Sequence, residues 1–212
     1  EIKKYEIVEA EDSLIDKIWT DSLDMQVNYL MALKAISSDV THDYILRFMD
    51  KIDSVTVDPS WHFLETRVRA IALLFTFGDY SLANYVFNLV DFHKPRVNLT
   101  SLYLLKDIII NVPQYEERAF EELIYAAENG SLDWYRSRAI RDLEEIYGEG
   151  AIPYIQKMFY EDEYSTNRLI AMELLLKYKN SNVNNMLRER LVDEPAWSYR
   201  VRIAEKLLEI FW

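Results

Sequence analysis

The sequence predicts an all-α protein of about six stacked antiparallel helix pairs, and three observations predict it. Four glycines and five prolines occur in 212 residues, whereas a sheet-rich chain of this size needs many tight turns and the residues that make them. Half of the residues are apolar and 14% are aromatic, which supplies a core and argues against disorder. A helical anchor, a small residue followed by apolar residues three and four positions on, also recurs along the chain. It stands at Ala32 (Ala35, Ile36), Ala70 (Leu73, Leu74), Ser101 (Leu104, Leu105), Ala171 (Leu174, Leu175) and Ala204 (Leu207, Leu208). Ala139 keeps Leu143 alone, because Asp142 holds its third position.

Successive anchors lie 38, 31, 38, 32 and 33 residues apart, room for one helix-turn-helix unit and too irregular for a strict tetratricopeptide or ankyrin array. Each anchor sets a close-approach point and two packing knobs on one helical stripe, as helix-on-helix packing requires. The elements follow in order. The first pair is expected at 12–20 and 23–37, the second at 40–54 and 58–77, and the third at 79–92 and 96–111. The fourth is expected at 113–129 and 132–147, the fifth at 150–161 and 164–178, and the sixth at 181–192 and 195–211.

Punctuation agrees with this division. Gly78, Gly130 and Gly148 each follow an apolar helical run and are expected to adopt left-handed caps, with Asn129-Gly130 the clearest case. Asp58-Pro59, Val112-Pro113 and Glu194-Pro195 place proline where a helix starts and its missing N–H is tolerated. Nothing between these elements reads as a linker, so residues 1–212 are expected to form a single repeat domain.

The chain begins at Glu1 and ends on Ile210-Phe211-Trp212, an apolar end that a capping layer would normally cover. It therefore reads as a fragment of a longer protein, with room for a tethering segment or a removed signal outside it. No 18-residue apolar run is present, so no membrane span is expected within it. The compartment stays open, with a lean to the cytoplasm.

The later units carry a motif. Asp133-Trp134-Tyr135-Arg136-Ser137-Arg138-Ala139, Glu163 through Arg168 to Ala171, and Asp193 through Tyr199-Arg200-Val201-Arg202-Ile203-Ala204 share an acidic turn followed by arginine and a small anchor; Arg67-Val68-Arg69-Ala70 echoes it. The pattern resembles the HEAT-like (armadillo-like) repeat family, including its phycobilisome-lyase-like subgroup. It covers residues 58–77 and 130–212. The first unit, by contrast, lacks arginine, and the third has Asn98 before Ser101. The resemblance implies a right-handed α-α superhelix, a HEAT/ARM-like solenoid, whose second helices line a concave face. It also implies that Arg67, Arg136 and Arg168 are structural, tying one repeat to the next through acids and carbonyls near the turn.

Charge and composition exclude several functions. The net charge of −12 repels a phosphate backbone, so no nucleic acid is expected. The excess acid falls in two stretches, 1–50 and 101–150, each with 11 acids against 5 bases, which suits solvated outer faces or a basic partner. The absence of cysteine removes thiolate zinc sites and cysteine nucleophiles. His42, His62 and His93 fall on different units with no metal-ligand spacing, and no glycine-rich phosphate loop exists. Glu116, Glu117, Glu121 and Glu122 read as one solvated stripe, which offers a single environment where general acid-base work needs two. No catalytic residue, metal site or cofactor is expected.

The binding candidates are the tryptophans at three second-helix starts, Trp61, Trp134 and Trp197, with the arginines beside them, Arg69, Arg138, Arg200 and Arg202. An aromatic ring next to a guanidinium can hold a peptide or a carboxylate by stacking and bidentate hydrogen bonds. The same tryptophans also suit packing against a neighbouring unit. The expected function is non-enzymatic, a protein or peptide interaction scaffold, with a basic partner as the chemistry that the acid excess would suit. The resemblance leaves two enzymatic alternatives, a HEAT-like DNA glycosylase and a bilin-lyase-like enzyme.

Overall fold

The computed structural model describes residues 39–54, 61–90, 95–178 and 181–211, with isolated helical positions before residue 39. The expected first pair, 12–20 and 23–37, therefore lies outside the described residues. Every regular element among those described is helical, and no strand occurs among them. The chain divides into two compact units, Glu1–Ala119 and Phe120–Trp212.

In the first unit, α1 spans Asp39–Ser54, α2 Trp61–Thr76, α3 Ala83–Leu89 and α4 Pro95–Asn111. α1 buries Ile45, Phe48 and Met49 at helical spacing and packs on α2. α2 buries Val68, Ala70, Ile71 and Leu74, and its principal neighbour is α4, which buries Leu102, Leu104, Leu105 and Ile108. Each large apolar side chain sealed in this way contributes about 1.5–3 kcal/mol. The anchors at Ala70 and Ser101 thus sit in the core with both of their following leucines.

Gly78 ends α2 in the left-handed region at φ 77°. Its N–H donates to the Phe75 carbonyl at 3.0 Å, and that of Asp79 to Leu74 at 3.2 Å, the paired bonds of a Schellman cap. Asp79 then accepts the Ser81 N–H at 2.9 Å and meets His42 Nε2 of α1 at 2.9 Å. This turn occupies the start of the expected 79–92 helix, which shortens to α3. His42 is consumed in tying α1 to the end of α2.

α5 spans Glu116–Asn129 and contains the division between the units; a 3-10 turn, Pro113–Tyr115, precedes it. In the second unit, α6 spans Asp133–Tyr147, α7 Ile152–Glu161, α8 Ser165–Leu176, α9 Ser181–Asp193 and α10 Trp197–Phe211. α7 packs on α8 and α9 on α10, while α8 touches both α6 and α10. The second helices of the pairs are therefore neighbours in chain order. At the far end of α8, Lys177 and the Tyr178 hydroxyl bind Glu144 of α6 at 2.9 and 2.8 Å.

Gly130 departs from the expected left-handed cap. Positive φ is found at Gly78 and at Gly148 (φ 55°) among the described glycines, and not at Gly130. Space makes glycine necessary there: a Cβ would stand 2.7 Å from the Ala126 carbonyl oxygen and 3.3 Å from Arg136 Cγ. The residue lets the stem of Arg136 lie directly under the turn.

Candidate functional site

Arg136 and Arg168 stand in the first turns of α6 and α8, 32 residues apart. Arg136 donates from Nε and Nη2 to Asp162 at 2.7 and 3.0 Å, and from Nη1 to the Gly130 carbonyl at 2.7 Å. Arg168 repeats the set, with Nε and Nη2 on Glu194 and Nη1 on the carbonyls of Asp162 and Glu163 at 2.7 and 3.0 Å. Each arginine thus closes its own turn backwards and binds the carboxylate of the following turn, 26 residues on. Bidentate charge-assisted pairing fixes both distance and angle between neighbouring pairs.

The carboxylates are built for this. Asp162 Oδ1 also accepts the Tyr164 N–H, and Glu194 Oε1 that of Ala196, each at 2.9 Å. Burial raises the Asp162 carboxyl, but Arg136, the Tyr164 N–H and the Asn167 amide outweigh it, so it titrates below an ordinary aspartate. Glu194 is likewise lowered: burial opposes, and Arg168, the Ala196 N–H and the charge of Arg190 prevail. Asn167 Nδ2 donates to the Asp133 carbonyl at 3.0 Å and the Tyr199 hydroxyl to that of Arg168 at 2.6 Å. Each second helix therefore also reaches back to the one before it.

Asp162, Glu194, Asn167 and Tyr199 are absent from the sequence-derived candidates. The motif points to Glu163 and Asp193 at the turns, but both are exposed; their neighbours Asp162 and Glu194 make the close pairs, and Glu163 reaches Arg136 only at 3.5 Å. A fixed separation of 26 residues between arginine and acid is the signal that would find them.

The binding candidates fall in different surroundings. The Trp61 side chain lies outside the described residues; Arg67 and Arg69 are half-buried on α2. Trp134 is 41% exposed, its ring tilted at 42° to that of Tyr135 with the centroids 3.9 Å apart. Arg138 is bound at 2.9 and 2.8 Å to both oxygens of Asp142, itself buried on the same helix. Arg202 is exposed and pairs with Glu205 at 3.2 Å. Trp197 is 73% exposed, with the Arg200 guanidinium 6.0 Å from its ring. The structure thus places Trp134 and Arg138 on α6, and Trp197, Arg200 and Arg202 on α10.

A groove of about 420 Å³ opens beside the first arginine pair. Its lining carries Glu128, Glu161, Asp162 and Glu163 against Arg136 and Lys157. Lys157 is held by Glu128 at 2.7 Å and Arg136 by Asp162, which leaves the groove with an excess of acid. Tyr164 follows Glu163 directly, is exposed, and its ring lies 5.3 Å from the Arg136 guanidinium. Comparison with known proteins finds no matching family model, no matching curated protein and no matching solved structure. What the geometry defines is an all-helical protein in which an arginine–carboxylate pairing recurs.

Proposed function

We propose that this chain is a non-catalytic interaction module of HEAT-like, right-handed superhelical architecture, and that it binds a basic protein or peptide segment. The recurring pairing supports the repeat reading, because the same bonds return after the same number of residues. The observation that carries the binding reading is the acid-lined groove with exposed aromatic rings close by in the chain, Tyr164 beside Glu163 and Trp134 just after Gly130-Ser131. A lysine or arginine side chain entering there meets carboxylates, which hold a cation by charge-assisted hydrogen bonds, and the exposed rings of Tyr164 and Trp134 lie close by in the chain for a cation–π contact with the rest of the segment.

Selection from a random displayed peptide library tests this. A lysine- or arginine-rich consensus that is enriched on the wild-type chain and lost on the variant combining Tyr164→Ala with Glu163→Gln supports the reading. Enrichment of acidic peptides, or none above a control protein, overturns it. Salt should weaken the binding, since exposed carboxylates attract the partner through screened charge.

A further inference from the structure

α8 and α10 carry the same hydrogen-bonding position 32 residues apart. On α8, Glu194 binds Nε and Nη2 of Arg168, and the Tyr199 hydroxyl donates to the Arg168 carbonyl. Both partners belong to the segment that enters and begins α10, a carboxylate on the turn and then a helix. On α10, Arg200 occupies the equivalent position. Its Nε is buried and has no hydrogen-bond partner among the described residues, a state that buried cationic donors rarely tolerate.

Beside Arg200 runs an apolar stripe of Trp197, Val201, Ala204 and Leu208, spaced as one face of a helix. Trp197 is 73% and Leu208 59% exposed. The structure places Ile203, not the predicted anchor Ala204, at the fully buried position equivalent to Ala139 and Ala171, while Ala204 is half-buried. The stripe therefore looks outward beside a guanidinium whose Nε lacks a hydrogen-bond partner among the described residues.

We infer that the outer face of α10 is a docking surface for a partner helix entered through a turn that bears aspartate or glutamate. The carboxylate closes on Arg200, and the helix lies along Trp197, Val201, Ala204 and Leu208. The occupant follows from the arrangement over Arg168, where the same guanidinium position is closed by an acid-turn-helix segment. A second copy does not supply it, because antiparallel pairing of two such stripes sets like flanks together and brings Arg200 towards Arg200. This face is separate from the acidic groove, and the inference does not depend on the groove binding anything.

The probe is a labelled synthetic peptide of residues 181–212, which carries the Glu194 turn and the following helix. It is titrated against the full chain by fluorescence anisotropy. Saturable binding is expected, weakened about tenfold or more by E194Q in the peptide, by Arg200→Ala or by Leu208→Glu in the chain. Hydrogen exchange in α10 should slow on binding, and a thermal melt establishes that each variant is folded. Equal binding of both peptides, insensitivity to Arg200→Ala, or no saturation up to about 1 mM overturns the inference. Loss of groove binding in the peptide selection leaves it standing.

Discussion

Arg168 and Glu194, 26 residues apart in the chain, form a bidentate ion pair almost wholly removed from water. The same carboxylate accepts Arg190 Nε at 2.9 Å and the Ala196 N–H at 2.9 Å. One buried acid thus joins α8, the end of α9 and the turn into α10. Two guanidinium groups thus share one carboxylate, which is itself fully removed from water.

Removing one partner should cost far more than replacing both. Arg168→Met or Glu194→Leu alone is expected to destabilise the chain by about 3–5 kcal/mol, because each strands a buried charge or its donors. The double replacement Arg168→Met, Glu194→Leu should lose distinctly less than the sum. Urea unfolding of the four proteins measures the coupling; strict additivity would show that the pair does not act as one.

Acid should unfold this protein through Asp162 and Glu194. Both carboxyls titrate below their ordinary values in the folded chain, so their stabilisation is complete above the unfolded-state value, about pH 4. It is lost as pH falls through the lower folded values. Stability should be level from neutral pH to about pH 5 and then fall. The slope below that point should flatten in Asp162→Asn, measured by urea midpoints at each pH. At the alkaline end, burial and the bond to Glu144 push Tyr178 up to about 12. Its contribution is full below about pH 10 and lost as pH rises above it, a loss that Tyr178→Phe should remove.

Two glycines should fail for different reasons. Gly130→Ala drives a Cβ to 2.7 Å from a backbone carbonyl and against the Arg136 stem, so a loss of about 1–3 kcal/mol is expected, together with weakening of the Arg136–Asp162 pair. Gly78→Ala meets no atom within 4 Å but must hold φ 77°, a backbone strain of about 1–2 kcal/mol. Crystal structures of the variants separate a displaced turn from a retained, strained one.

Arg138→Ala should destabilise and Arg202→Ala should not. Arg138 holds a buried carboxylate on its own helix, so its removal is expected to cost about 1–3 kcal/mol. Arg202 pairs at the exposed surface, where truncation changes stability by less than about 0.5 kcal/mol. Thermal denaturation compares them directly.

Helix positions are readable in this sequence because their signals are local. The predicted 40–54, 132–147 and 164–178 correspond to Asp39–Ser54, Asp133–Tyr147 and Ser165–Leu176. The third pair is less faithful, since Asp79 and Ser81 make a turn of their own where apolar periodicity suggests helix. The final anchor is displaced by one residue: Ala204, with Leu207 and Leu208, is the position that fits the pattern, yet Ile203, three residues after Arg200, takes the fully buried place.

What the sequence by itself determines is the helical class, the order of the helices and the arginines that recur at second-helix starts. These follow from spacing within a few turns of one helix, where glycine, proline and apolar periodicity act directly on the backbone. Only the tertiary structure decides which acid holds each arginine in a bidentate pair, Asp162 for Arg136, with Glu163 only at 3.5 Å, and Glu194 for Arg168. That choice depends on the turns entering α8 and α10, and Asp162, extended at ψ 133°, aims its carboxylate at a guanidinium on the preceding pair. The tertiary structure likewise leaves Arg200 Nε buried and without a hydrogen-bond partner among the described residues, beside an open apolar stripe, because burial is a property of neighbouring helices and not of the residue.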